Sequence, residues 1–246
     1  MRKTVFCTAG DTAALRQARN QLLQWGYEVT SAPNKQVTHL LLPVPSFEKS
    51  GVLKGNVVLD DLMKNLPEDA VILGGNLPEL PRVCVDFLKD EYYLMENATI
   101  TAHCTMDLMM QHSPTPLQDA NVLIIGWGRI GKQLSSLLKA QGIAVTVAAR
   151  NPYDLQALEQ LGYNATAIKD WHPEQYQIII NTVPTPLLET SQTDPRALRI
   201  DLASIRGICG ENVLWARGLP NQNAPDLSGI LIAKTALRYA LGKESL

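Results

Sequence analysis

At 246 residues the chain can form one large domain or two of ordinary size, and 46% hydrophobic with 19% charged residues is a globular balance rather than a disordered one. A formal net charge of -2 gives no reason to expect nucleic acid or another polyanion as a partner. No apolar run approaches the roughly 18 residues of a membrane helix, and the basic start Met1-Arg2-Lys3 meets Asp11 before a signal-peptide core can develop.

These features predict a cytoplasmic protein without a membrane partner. Cys7, Cys84, Cys104 and Cys209 are scattered, without the paired spacing of a zinc or redox site, so no metal is expected.

The first half alternates short β-rich runs with helical stretches. A strand at 4–7 leads through Gly10-Asp11 into a helix in which Leu15, Ala18, Leu22 and Leu23 recur at helical spacing. Gly26 stands where a left-handed cap needs glycine. Further strands are predicted at 27–30, 39–42, 57–59, 71–73 and 82–87, mostly ended by Pro, Gly or Asp. Strands separated by helices imply a parallel sheet, here a small flavodoxin-like domain over 1–96 on the substrate side. Its loops Gly10-Asp11, Pro43-Val44-Pro45-Ser46 and Gly74-Gly75-Asn76 lie at the carboxyl ends of strands, where ligands bind in such sheets.

A linking segment over 97–116 reads as a helix at 97–112, stopped by Ser113-Pro114-Thr115-Pro116 and walling the interdomain cleft. Ile100, Cys104 and Leu108 share one face. His103 and Asp107 share another, four residues apart, at a spacing that allows a hydrogen bond.

A second domain is predicted over 117–220. A strand at 122–125, a glycine loop, a helix at 130–141, Gly142 and a strand at 144–148 make a complete βαβ unit. Strands at 164–168, 177–181, 198–202 and 213–215 complete a doubly wound sheet. The segment 221–246 carries a last helix, at about 227–241, expected to pack back toward the first domain. The fold class is therefore α/β, two Rossmann-like doubly wound parallel-sheet domains with a cleft between them.

The loop Gly126-Trp127-Gly128-Arg129-Ile130-Gly131 follows four apolar residues and opens a helix, the context that turns a weak glycine pattern into a dinucleotide-binding signal. The first glycine allows the tight turn, the second lets a pyrophosphate approach the backbone, and the third lets the helix pack close to the strand. At the end of the second strand, where an acidic residue would hold the ribose hydroxyls of NAD, the sequence has Ala149-Arg150-Asn151. A guanidinium there suits the 2′-phosphate of NADP, and Arg129 is expected to approach the same region. NADP is favoured, with NAD as the alternative; the plainer role for Arg150 is a solvated surface arginine, since Asp154 stands only four residues beyond it. Asn181, Thr182, Val183 and Pro184 are expected to border the cofactor. Ser204 and Arg206 are expected to face a substrate anion.

In chain order stand Ala9-Gly10-Asp11, Leu42-Pro43-Val44-Pro45, Asp90-Glu91-Tyr92 before Asn97-Ala98 and Thr101-Ala102, the glycine loop with Ala149-Arg150, Asn181-Thr182-Val183-Pro184, Asp201-Leu202-Ala203-Ser204 and Gly218-Leu219-Pro220 with Ala224-Pro225. In that order and spacing they resemble the family of dipicolinate synthase A subunits nearly end to end. The resemblance implies two Rossmann-like domains with a dinucleotide in the second, and oxidation of a dihydrodipicolinate-type precursor to dipicolinate by hydride transfer, in a spore-forming bacterium. It also implies a flavoprotein as second subunit.

A dicarboxylate substrate of that kind calls for cations and N–H donors, with Arg206, Arg217, Thr99, Thr101 and the N-terminus of the linking helix as candidates. His103, oriented by Asp107, is the candidate proton acceptor. The sequence departs from the family pattern at Thr101-Ala102-His103-Cys104, where Thr-Ala-Glu-Gly is typical, at Ile205-Arg206, at Asn221-Gln222 and at Asp226-Leu227-Ser228-Gly229. These lie on the presumed substrate side, so the cofactor carries over better than the substrate.

The alternative is a non-catalytic, regulatory dinucleotide-binding subunit that works with a flavoprotein. A D-2-hydroxyacid dehydrogenase is disfavoured, since its catalytic histidine comes late and no histidine follows His172 here. A homodimer is the default expectation for such two-domain proteins.

Overall fold

The computed structural model describes residues 3–48, 50–55 and 58–242. In chain order its elements are β1 (Val5–Thr8), α1 (Ala13–Gln24), β2 (Glu28–Thr30), β3 (His39–Leu41), α2 (Leu59–Lys64), β4 (Val71–Gly74), β5 (Cys84–Asp86) and α3 (Glu91–His112). They continue with β6 (Val122–Ile125), α4 (Arg129–Ala140), β7 (Val145–Ala149), α5 (Pro152–Gln160), β8 (Asn164–Ala167), β9 (Ile178–Asn181) and β10 (Leu188–Glu189). The last are β11 (Leu198–Asp201), β12 (Ile208–Cys209), β13 (Leu214–Trp215), α6 (Leu219–Asn223) and α7 (Pro225–Ala240). The chain divides into two compact units, Met1–Asn97 with Ala224–Leu246, and Ala98–Asn223.

The first unit holds a five-stranded sheet in the order β2-β1-β3-β4-β5, every pair parallel. That is the flavodoxin-like order, with a reversal of winding at β1 and β3. Thr12 starts α1 by accepting the Leu15 amide on its hydroxyl at 3.2 Å, and Ala14, Leu15, Ala18 and Leu22 turn inward. Gly26, at φ +83°, reverses the chain after it. α7 packs on α1 at close range: a Cβ on Gly229 would sit 2.5 Å from Gln17 Cβ and 2.7 Å from Ala14 O. The helix therefore tolerates an interior glycine, worth about 1 kcal/mol against it in isolation.

The strand expected at 57–59 is not formed at its described residues, Val58 and Leu59. Val57 lies outside the described residues, and Leu59 opens α2 instead. The reason is spacing, since Leu59, Leu62, Met63 and Leu66 meet the core at intervals of three and four residues rather than two. The crossovers from β2 to β3 and from β4 to β5 carry no helix among the described residues.

α3 begins at Glu91, not at Asn97. Asp90 nucleates it, its Oδ1 accepting the Tyr93 amide at 2.7 Å and its backbone carbonyl the Leu94 amide at 2.9 Å. The other carboxylate oxygen accepts from Arg238 and, at 2.5 Å, from the Tyr239 hydroxyl, so the cap is clamped to α7. Burial is the first cause that pushes the Tyr239 phenol above its ordinary value, and the Asp90 carboxylate adds to it. Thr99 and Thr101 thus lie inside a helix. The open helix N-terminus expected beside them does not exist, because the first turn is formed by Glu91-Tyr92-Tyr93 and its cap by Asp90.

The second unit carries a six-stranded parallel sheet in the order β13-β11-β9-β6-β7-β8, the arrangement of dinucleotide-binding domains with β6 as the first strand. β6 is buried throughout, as a central parallel strand covered on both faces must be. Three of its features are not predicted by the sequence patterns. α5 is capped by Asn151, whose side-chain oxygen accepts the Tyr153 amide at 3.0 Å, with Pro152 at the first helical position. β10 and β12 form a separate two-stranded parallel ladder. α6 is a short turn of helix before α7.

Among the described residues no helix is long and apolar enough to cross a membrane, and no group of three or more His, Cys, Asp or Glu is placed to hold a metal.

Candidate functional site

The glycine loop joins β6 to α4 at the point where the strand order of the second sheet reverses. Gly126 takes φ +96°, and a Cβ there would stand 2.6 Å from both Thr182 Oγ1 and Val183 Cγ2. Gly131 faces the Gly126 carbonyl so closely that a Cβ would approach its oxygen to under 3.0 Å. Gly128 is the opposite case: a Cβ on it would meet nothing within 4 Å. The first and third glycines are thus required by the protein's own packing, whereas the second opens onto empty space at the mouth of α4.

That helix starts without a side-chain cap and without an acidic residue in its first turn, so the positive end of its dipole is uncompensated by the chain. Backbone N–H groups and dipole there suit a phosphate, and the residues present fit the pyrophosphate of a dinucleotide.

Beside the loop an open pocket of about 170 Å³ is lined by Gly126, Trp127, Ala149, Arg150, Val183 and Ile168, with Asn151, Asp154, Thr185 and Leu187 completing it. The ends of β6, β7, β8 and β9 all contribute. Trp127 is half-buried, and Lys132 Nζ lies 4.6 Å over its ring. Arg150 is exposed at the end of β7 and makes no hydrogen bond or ion pair among the described residues, not even with Asp154. Arg129 is exposed on the first turn of α4 and does not line this pocket, contrary to its expected approach to the Arg150 region. Ile130 is half-buried beside it.

The other expected cofactor residues divide by role. Thr182 ties the loop after β9 to the glycine loop, its amide and hydroxyl both donating to the Ile125 carbonyl at 3.0 and 2.9 Å. Val183 lines the pocket, and Pro184 is exposed outside it. The Asn181 side chain is fully engaged within the protein. Its Nδ2 donates to Asp201 Oδ1 and to the Val183 carbonyl, both at 2.9 Å, and its Oδ1 accepts the Val183 amide at 3.0 Å.

Asp201, which sequence reasoning does not single out as a site residue, is the hub of this corner. It is fully buried and accepts four donors: Asn181 Nδ2 and the Ala203 amide (3.1 Å) on one oxygen, the Gly207 (2.7 Å) and Ile208 (2.9 Å) amides on the other. A Cβ on Gly207 would overlap the Asn181 amide, so glycine is required there too. One signal in the sequence points to it: an acidic residue that directly follows Ile200 at the carboxyl end of a strand, as Asp201 does in Leu198–Asp201, needs a reason to be buried.

The substrate-side candidates are more dispersed. Ser204 and Arg206 are exposed on the loop after β11, and the Arg206 guanidinium stacks 4.9 Å over the Trp215 ring, which is itself held by an Nε1 bond to the Ala203 carbonyl at 3.0 Å. Arg217 is exposed, two residues beyond Trp215. On α3, Thr101 is buried at 5% exposure and Thr99 is half-buried. His103 and Asp107 are both exposed and form no hydrogen bond with each other. Cys104 is buried, and burial raises its thiol pKa.

No protein-family model matches the chain. Among curated proteins it is similar to the A subunit of dipicolinate synthase from Bacillus subtilis, with 27% identity over 228 residues that span 85% of this chain and 76% of the relative. Among solved structures, the A subunit of dipicolinate synthase from Bacillus halodurans superposes with a TM-score of 0.81 at 20% identity, covering 97% of this chain and 98% of that one. The corresponding Bacillus subtilis structure gives the same TM-score of 0.81 at 21% identity, covering 98% and 97%. With the two parallel sheets and the glycine cradle described above, these likenesses make the chain a dipicolinate-synthase-A-like α/β protein.

Proposed function

We propose that the second unit binds a nicotinamide dinucleotide, NADP in preference to NAD, and that the protein is an oxidoreductase acting on a dihydrodipicolinate-type dicarboxylate. The observation that carries this is the unpaired Arg150 guanidinium beside a glycine cradle whose middle glycine opens onto empty space. A dinucleotide supplies the hydride chemistry when bound. The chain's own residues hold and orient: the first turn of α4 takes the pyrophosphate, Arg150 the 2′-phosphate, and Trp127 with Ile168 gives the pocket an apolar wall. Arg206, Ser204 and Arg217, with the half-buried Thr99, are the candidates for the substrate's carboxylates, whereas the buried Thr101 is not. His103 is the candidate proton acceptor, with no partner among the described residues to occupy its ring. The substrate class rests on the name of the curated relative.

Asp154 gives a built-in control for cofactor choice, because it lines the same pocket with the opposite charge. Arg150→Gln is expected to weaken NADP binding roughly tenfold or more while NAD affinity stays within about twofold, the loss of one charge-assisted phosphate contact. Asp154→Asn is expected to strengthen NADP binding. Calorimetric titration of both cofactors into both variants checks this, and equal loss of NADP and NAD affinity in Arg150→Gln would remove the 2′-phosphate assignment.

A second reading is favoured by one feature, the exposed His103 that Asp107 does not orient. In it the chain is a dinucleotide-binding subunit that works with a flavoprotein partner, in line with the relative being one subunit of its synthase. Turnover separates the two. Oxidation of the dihydrodipicolinate-type substrate by the purified chain with NADP supports the enzyme, and turnover that appears only on adding the flavoprotein supports the second reading.

A further inference from the structure

The first unit carries a pocket of its own at the carboxyl end of β1, about 290 Å³ in volume, between Thr8, Gly10, Arg16, Arg19, Ser31 and Leu62. In a parallel sheet of order β2-β1-β3-β4-β5 the chain leaves β1 toward β2 on one side and β3 lies on the other, so the end of β1 is the place where such sheets open a crevice for a ligand. The polar groups around it are unevenly satisfied. Arg16 is paired with Asp11. Arg19, one turn further along α1, is half-buried and makes no hydrogen bond or ion pair among the described residues, and the hydroxyls of Thr8 and Ser31 have no partner among them either.

A half-buried guanidinium whose donors meet no acceptor in the protein is matched by a ligand that supplies the negative charge. Its planar fork matches the oxygens of a carboxylate or phosphate, and the two hydroxyls are placed on the same pocket as additional donors. Leu15 and Leu62 supply the apolar lining that leaves room for a small organic body rather than a bare ion. We infer that the pocket at the end of β1 is an oxyanion site, in which Arg19 with Thr8 and Ser31 holds the carboxylate or phosphate group of a small ligand. The site uses no residue of the glycine cradle and stands whether or not the cofactor reading does.

The test titrates the full chain separately with pyridine-2,6-dicarboxylate and with inorganic phosphate, by calorimetry at low ionic strength, alongside Arg19→Gln and Arg19→Lys. At least one anion is expected to saturate the wild-type chain, and Arg19→Gln is expected to weaken it about tenfold or more, with Arg19→Lys between the two. Binding of the dicarboxylate alone identifies a carboxylate ligand, and binding of phosphate alone a phosphorylated one. Arg19→Gln should leave thermal stability and NADP affinity unchanged, since Arg19 has no partner among the described residues. Absence of binding by both anions in the wild type, or undiminished binding in Arg19→Gln, overturns the inference. Loss of NADP binding in the wild type would sink the cofactor proposal and leave this one untouched.

Discussion

Replacing Gly131 by alanine is expected to weaken dinucleotide binding by about a hundredfold or more and to lower stability by about 2 kcal/mol, the order of cost for overpacking a close backbone contact. The added methyl group would have to share the space of the Gly126 carbonyl oxygen, and that oxygen cannot retreat. The Gly126 amide is held by the Ala148 carbonyl at 2.8 Å, and a Cβ on Gly126 itself would already crowd Thr182 and Val183. The helix must therefore lift from the strand, and with it the N–H groups that form the cradle. Gly128→Ala is the informative comparison. Its Cβ meets nothing in the protein and its φ of -78° suits alanine, so stability should hold. The methyl would project into the opening assigned to the pyrophosphate, so affinity should still fall. Urea unfolding paired with fluorescence titration of NADPH reads both quantities. Equal affinity in Gly128→Ala and the wild type would mean that the dinucleotide does not cross the loop at that glycine.

The βαβ unit that carries this loop is readable because every level of the sequence agrees there. Apolar Val122–Ile125 can only be a covered strand, and Leu134 and Leu138, four residues apart, recur on the inner face of α4. Most strand positions elsewhere come within a few residues for the same reason. What escapes are elements specified by a single contact remote in sequence. α3 starts at Glu91 because Asp90 caps its first turn through the Tyr93 amide, and that carboxylate is held in place by Arg238 and Tyr239, 148 and 149 residues away, which no local window contains. α2 reads as a strand over 57–59 because three positions are too few to tell a period of two from one of 3.6.

At the site, residue identity is more legible than residue role. Asn181 and Thr182 are where the sequence places them, at the carboxyl end of β9, yet their side chains brace the loops. Arg150 gives both position and charge from sequence alone. Its lack of an ion pair with Asp154 is learned only from the structure, since four-residue spacing favours such a pair in a helix and here Arg150 precedes the cap of α5.

Asp201→Asn is expected to destabilise the second unit by about 2 kcal/mol or more, nearly as much as Asp201→Ala, despite being almost isosteric. Both carboxylate oxygens are loaded with donors alone, two on each. An ionised carboxylate is acceptor-only and satisfies that set, whereas an amide must turn an NH₂ group toward one pair of N–H donors whichever way it flips. The clash leaves two buried donors unsatisfied, each worth about 1 to 3 kcal/mol. Either the Ala203 side or the Gly207 and Ile208 side must open, so the loop between β11 and β12 should lose amide protection in hydrogen exchange before the sheet does. Because the same carboxylate fixes the Asn181 and Val183 turn that borders the pocket proposed for the dinucleotide, NADP affinity should drop along with stability. Stability within about 0.5 kcal/mol of the wild type in Asp201→Asn, with protection of residues 203–208 retained, would show that this loop is held by packing of Leu188 and Ile208 in the core rather than by the buried carboxylate.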